Sequence, residues 1–400
     1  MTTAYLVSGR RTPVGRYGGA LSSVRPDDLA ALTIKAVIED AGIDPAAVDE
    51  VILGNANGAG EENRNVARMA WLLAGYPDTV PGITVNRLCA SGMSAIALAT
   101  AMVESGQADV VVAGGVESMS RAPWVVEKPT TAFAKPGEAF DTAIGWRFVN
   151  PKFAAQDKMT YSMPETAEEE VARVCDISRA DADAFAVQSQ ARALAAIEAG
   201  RFEPEIVPVE VTDRKGNVTL VDTDEGPRPG TTPEVLAKLR PVVKGGEVVT
   251  AGNSSTLNDG ASAILVVSEA AVEKYGLQPR ARVIANANAG LAPEVMGLGP
   301  VPATRKVLER AGWNLGSVDA VEVNEAFATQ SLAVIRELEL DQNKVNAWGG
   351  AIALGHPLGS SGSRITITLL NRLEQEGGQR GIATLCIGVG QGSAIAIERV

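Results

Sequence analysis

Three of the four Cys and His residues in this 400-residue chain stand in glycine- and serine-rich surroundings suited to chemistry. Cys89, in VNRLCASGMSA, falls where a short strand (83–86) meets an apolar helix. The positive end of a helix favours thiolate, so the position predicts a thiol of lowered pKa acting as a nucleophile; the competing reading is a small buried hydrophobe. His356, in GGAIALGHPLGSSG, is the one side chain whose ordinary pKa lies near neutrality, and Gly355, Pro357 and Gly359 hold its loop. Cys386 lies in TLCIGVGQGSA, where Gly388, Gly390 and Gly392 lack dinucleotide-fingerprint spacing and lead into a strand. The better reading is a tight turn whose backbone N–H groups, beside a second thiol, can hold an oxyanion. Asn324 follows an apolar strand (321–323) and reads either as a helix cap or as the holder of a catalytic water. Cys175, in EEEVARVCDIS, reads as packing.

The elements that must position these groups repeat. Residues 36–56 and 306–326 share eight identities in 21 positions at a shift of 270, including Gly42/Gly312 and Asp49/Asp319. The same shift carries Ser91-Gly92 onto Ser361-Gly362 and sets His356 opposite Asn86, three residues before Cys89. Each copy runs from an amphipathic helix ending at glycine into a short apolar strand, the alternation of an α/β fold. A helix over 90–105, small or apolar on nearly every face, belongs inside the core. Strands follow at 109–113 and 381–385. The second copy reaches its next strand (393–397) after a glycine turn, whereas the first reaches 261–267 only after a long insertion, richer in charge and proline, with helices at 164–174 and 181–199. Two copies packed with pseudo-twofold symmetry would bring the Cys89 and His356 loops to one site.

Composition excludes much else. A net charge of −12 argues against non-specific binding to nucleic acid or anionic membrane. One histidine, and no CxxC or HExxH spacing, leaves no zinc site; the odd cysteine count argues against a disulfide framework, and no run approaches a membrane span. The chain reads as cytoplasmic.

VNRLCASG, AGGVESMSRAP, AGNSSTLNDGA, NEAFA, GGAIALGHPLGSSG and CIGVGQG together resemble the thiolase family over essentially the whole chain. GRYGGALSSVRPDDLA, GEENRNVARMA and IGWRFVNP look most like its degradative 3-oxoadipyl-CoA branch. The resemblance implies a five-layer αβαβα sandwich: an N-terminal half (1–119 with 249–277), an inserted loop domain over CoA and substrate (120–248) and a C-terminal half (278–400). It implies a homodimer or homotetramer acting on CoA and acyl-CoA thioesters without metal or redox cofactor, coenzyme A being a substrate. By motif position Cys89 would be acylated, His356 would activate it and Asn324 would hold a water. Cys386 would be the acid/base, with the N–H groups of Cys89 and Gly388 as the oxyanion hole. Ser255 would lie near the pantetheine and Arg228 near the nucleotide, with Met163 and Phe327 lining the acyl pocket. The sequence departs from the family pattern at Ser162, Thr256, Val389 and Trp348, which puts the acyl pocket around Met163 and Trp348 in question. A one-histidine ketoacyl synthase has no use for Cys386, and a non-catalytic acyl-CoA or lipid carrier has no need of all three reactive groups.

Overall fold

The computed structural model describes residues 2–400. In the first half, β1 (Ala4–Arg11), α1 (Pro26–Ala41), β2 (Glu50–Gly54), α2 (Val66–Leu73), β3 (Gly82–Val85), α3 (Ser91–Glu104) and β4 (Val110–Ser118) precede the insertion. The insertion holds a long helix, α4 (Arg179–Glu198), and the chain returns in β5 (Asn258–Ser268). The second half runs β6 (Ala281–Gly290), α5 (Pro300–Ala311), β7 (Ala320–Val323), α6 (Ala328–Glu337), α7 (Leu358–Glu376), β8 (Arg380–Ile387) and β9 (Gln391–Arg399). The repeat is visible in the helix ends. Gly42 and Gly312 close α1 and α5 at φ 63° and 67°, a left-handed conformation in which their N–H groups cap Glu39 and Glu309 carbonyls.

The strand order is β7-β8-β9-β6-β1-β5-β4-β2-β3, with Gly15–Arg16 added beside β5. β2 runs parallel to β3 and β4, and β7 parallel to β8; the remaining pairs of that order are antiparallel. Within that order the strands of the two halves pair at Tyr5 with Arg282 and Leu6 with Ala281, a narrow seam between two half-sheets. α3 and α7 fill the space between: Ile96 and Ala99 of one and Ile365 and Leu369 of the other pack with Ile52 and Val111 of one sheet and Leu385 and Ile395 of the other. α1 and α2 cover the outer face of the first sheet, and α5 and α6 that of the second. The result is five alternating layers.

α3 and α7 cross at the two glycines related by the repeat. A Cβ on Gly92 would stand 2.5 Å from Ser363 Oγ, and one on Gly362 would stand 2.8 Å from Met93 Cβ. Small residues there let the two helix N-termini meet. α3 itself is not enclosed all round, as its composition suggests: Leu98 is exposed, as is Ile83 on the neighbouring edge strand β3.

The insertion is carried by the first half but packs on the second, with Ala182, Phe185 and Ala186 of α4 in one cluster with Leu332 and Ile335 of α6. It is pinned by Arg11 of β1, fully buried, whose guanidinium bonds Glu205 at 2.6 Å and Asp224 at 2.7 Å. Glu205 also accepts from Thr368 and Asn371 of α7. The helix expected at 164–174 begins as Met163–Glu165 and continues as a π-helix, Thr166–Ala172.

Candidate active site

Cys89 sits in a 3-10 turn, Leu88–Ala90, just ahead of α3. The turn is locked by its neighbours. Asn86 Oδ1 accepts from the Leu88 N–H at 2.8 Å, while Ser91 Oγ accepts from the Arg87 N–H and donates to the Leu88 carbonyl. The thiol is buried, and this corrects the expectation of a lowered pKa: burial pushes it up to about 11. The N–H groups of Gly388 and of Cys89 itself pull the other way, but desolvation outweighs them and the nearby charge of Glu117 adds to it. The resting nucleophile candidate is therefore a thiol, needing a base within reach.

His356 lies in the loop ahead of α7, and the first half seats it. Its N–H donates to Asn258 Oδ1 at 2.9 Å. Its Nδ1 is 2.6 Å from Ser361 Oγ, whose hydroxyl donates to the Pro357 carbonyl at 2.9 Å. A hydroxyl has one proton, so the Ser361 oxygen accepts from Nδ1–H, which assigns the unprotonated lone pair to Nε2. Asn324 Nδ2 is 3.3 Å from that Nε2. Burial, with the charge of Arg364 behind it, drives the imidazole down to about 3, so the ring is neutral rather than poised near neutrality. Asn324 does not cap a helix: α6 starts at Ala328 with Phe327 at its cap position. Its Oδ1 is buried with no protein partner, leaving an acceptor for a water or substrate atom.

Cys386 closes β8, fully buried, in a cluster with Met163, Ala167, Val249, Met296, Ala326 and Phe327. Burial raises its thiol well above the usual range, and Cys89 is close enough that charge on one thiol opposes charge on the other. It is thus a proton donor at rest rather than a group near its ordinary pKa. The turn that follows carries Gly388, whose α-carbon faces Leu88 and the sulfur of Met163. Val389, where the family pattern has glycine, takes a left-handed φ of 63° and is exposed. Arg87 reaches from the Cys89 turn to Gln391 at the start of β9, tying the two loops together.

Ser255 is fixed beside this segment by its N–H on the Ala326 carbonyl. Thr256 donates to Asn258 Oδ1, the same oxygen that holds the His356 N–H. Arg228 is exposed on the insertion, its backbone N–H held by Gln190 of α4. Ser162 donates its N–H to Glu165, opening the helix that presents Met163. Trp348 does not line the pocket with Met163. It packs edge-on against Phe202, with ring centroids 5.8 Å apart, in a separate cluster with Ala193, Ala196 and Leu354. Cys175 is half-buried beside the α5–α6 cluster, as packing requires.

Two buried carboxylates escaped the sequence reading. Glu325 accepts from Ser189 Oγ, Asn346 Nδ2 and the Ile352 N–H, fixing the stretch that runs into His356. Glu117 accepts from the N–H groups of Ala56, Asn57 and Gly359. Only their position one residue after Asn324 and inside AGGVESMS marked them, since their partners lie far away in sequence.

The site lies at the carboxyl ends of the parallel strands, where a neutral imidazole, two buried thiols and converging N–H donors suit acyl transfer through a thioester. Matches to the family models thiolase, N-terminal domain, over residues 4–270, and thiolase, C-terminal domain, over 277–399, agree with that chemistry. A beta-ketoadipyl-CoA thiolase of Pseudomonas aeruginosa is 57% identical over 399 residues, 99% of each chain. A 3-oxoadipyl-CoA/3-oxo-5,6-dehydrosuberyl-CoA thiolase of Escherichia coli K12 is 53% identical over 403 residues, covering 100% of both. The solved structure of Bacillus anthracis acetyl-CoA acetyltransferase matches with a TM-score of 0.93 at 41% identity, covering 100% of this chain and 99% of that one. The chain belongs to the thiolase family. It is an acyltransferase of the degradative kind, which cleaves a 3-ketoacyl-CoA with CoA to acetyl-CoA and a shortened acyl-CoA.

Proposed function

We propose that the chain is a 3-oxoadipyl-CoA thiolase, converting 3-oxoadipyl-CoA and CoA to succinyl-CoA and acetyl-CoA. The observation that carries this reading is the full-length likeness, above half identity, to relatives named for that substrate. The stretches GRYGGALSSVRPDDLA and IGWRFVNP support it.

In this reading Cys89 Sγ attacks the 3-keto carbon while its proton passes to His356 Nε2, the nitrogen that the Ser361 contact leaves unprotonated. The N–H groups of Cys89 and Gly388, both of which favour negative charge at this point, take the tetrahedral oxyanion. The bond between C2 and C3 breaks, the enolate oxygen of the departing acetyl-CoA lies against His356 Nε2–H and a water on Asn324, and Cys386 gives its proton to C2. Cys89 is left as a succinyl thioester. CoA then gives its thiol proton to the Cys386 thiolate and attacks the thioester, and His356 returns its proton to the leaving Cys89 sulfur. Every proton is restored, and no redox partner takes part.

Met163 and Phe327 frame the acyl chain, Ser255 the pantetheine and Arg228 the nucleotide phosphates. The open apolar strip of Ile83 and Leu98 at an unpaired edge strand supports self-association into a dimer or tetramer. No helix among the described residues is long and apolar enough to cross a membrane; a cytoplasmic enzyme is the reading adopted. The test is thiolysis of 3-oxoadipyl-CoA, acetoacetyl-CoA and a long-chain 3-ketoacyl-CoA side by side. The highest kcat/KM on 3-oxoadipyl-CoA is expected, and a preference for either neutral chain would overturn the substrate assignment.

A further inference from the structure

Glu117, at the end of β4, is a buried carboxylate to which the reaction sequence above gives no part. Its Oε2 accepts from the N–H of Ala56 at 2.9 Å and of Gly359 at 2.8 Å, and its Oε1 from the N–H of Asn57 at 3.1 Å. Ala56 and Asn57 follow β2 in the first half, whereas Gly359 lies in the first turn of α7 in the second, between His356 and its partner Ser361. One side chain therefore spans both halves at the base of the His356 loop. An anion at a helix N-terminus is also well placed electrostatically.

No lysine or arginine bonds this carboxylate. The titratable groups on the elements around it are Glu62 in the loop after β2, Asp259 at the start of β5, Cys89 ahead of α3 and the neutral His356 ahead of α7. Burial pushes Glu117 up to about 7, against the pull of its three N–H donors. Above that pH it is an anion without a counter-ion, and its charge works against a second anion at Cys89.

We propose that Glu117 is a positioning residue that seats the His356 loop on the Cys89 half. The proposal rests on the reading of Cys89 as nucleophile and His356 as its base. Two substitutions test it. Glu117→Gln keeps the shape but removes the charge and turns an NH2 donor toward backbone N–H donors. Glu117→Asp keeps the charge but shortens the reach to Gly359.

The experiment measures kcat and KM for thiolysis of acetoacetyl-CoA, with Cys89 alkylation by iodoacetamide, read by peptide mass, as the check that the nucleophile itself remains accessible. In Glu117→Gln kcat is expected to fall roughly 10–100-fold, with KM changed by less than about 3-fold, as misplacement of a catalytic group produces. In Glu117→Asp kcat is expected to fall as well. An unchanged kcat in both variants overturns the proposal. If Glu117→Gln does not fold, the aspartate variant decides: a wild-type kcat overturns the proposal. A fully active Cys89→Ala enzyme would instead count against the nucleophile assignment, so the two failures are distinguishable.

Discussion

A neutral imidazole held between a serine hydroxyl and an amide sets the terms of proton transfer at this site. Because burial holds His356 down to about 3, the unfolded chain takes up a proton near pH 6.5 that the folded protein refuses until far lower. The contribution of this group to stability is complete above pH 6.5 and declines by about 1.4 kcal/mol per unit as pH falls toward 3. Urea unfolding between about pH 4 and 7 should therefore show a steeper acid loss in the wild type than in His356→Asn; parallel curves would contradict the buried neutral histidine. Asn324→Ala, which removes the amide facing Nε2, should lower kcat roughly 100-fold with little change in KM, the scale of one lost oxyanion donor. Steady-state kinetics on acetoacetyl-CoA checks it. Cys89, His356 and Cys386 could be picked out as candidates because residue type and local turn glycines announced them, and Asn324 because it follows an apolar strand. The direction of the thiol shift could not, since the helix end is a local feature and burial is a tertiary one. Trp348 misled for the same reason: nearness to His356 in sequence said nothing of Phe202.

At the scale of elements, the crossing of α3 and α7 makes one site from two loops. Their N-termini meet because Gly92 and Gly362 carry no side chain. Gly362→Ala forces a methyl against Met93 and should destabilise by roughly 1–3 kcal/mol, seen as a lowered urea midpoint with an unchanged slope; a wild-type midpoint would show that the helices can separate freely. The 270-residue shift exposed this pairing in the sequence, because helix ends, short strands and the Ser-Gly pair all repeat. Strand lengths were under-read: β4 extends to Ser118 and β5 begins at Asn258, and those added ends carry Glu117, Asn258 and Asp259. Polar residues at strand ends break an apolar pattern, so hydropathy stops short of the part that does the positioning. The π-helix after Met163 likewise leaves no periodic signature distinct from an ordinary helix.

For the whole molecule, the insertion is held over the site by a buried ion cluster rather than by area alone. Arg11 on β1 bonds Glu205 and Asp224 of the insertion, and Glu205 in turn accepts from α7. Arg11→Met would leave two carboxylates buried without their cation, and should cost about 3–5 kcal/mol. Urea unfolding measures it, and a loss under about 1 kcal/mol would mean that the carboxylates find solvent. None of this network was visible beforehand, because its members lie about 200 residues apart. The measurement closest to the central claim is peptide mass analysis of wild type, Cys89→Ala and Cys386→Ala after mixing with 3-oxoadipyl-CoA in the absence of CoA. The account predicts a succinyl group on Cys89 of the wild type and none anywhere in Cys89→Ala. It further predicts that Cys386→Ala takes an acetyl group on Cys89 from acetyl-CoA yet loses cleavage of the carbon–carbon bond by roughly 100-fold or more, the scale of a lost general acid. A succinyl group on another residue, or a Cys89→Ala protein that still becomes acylated, would contradict it.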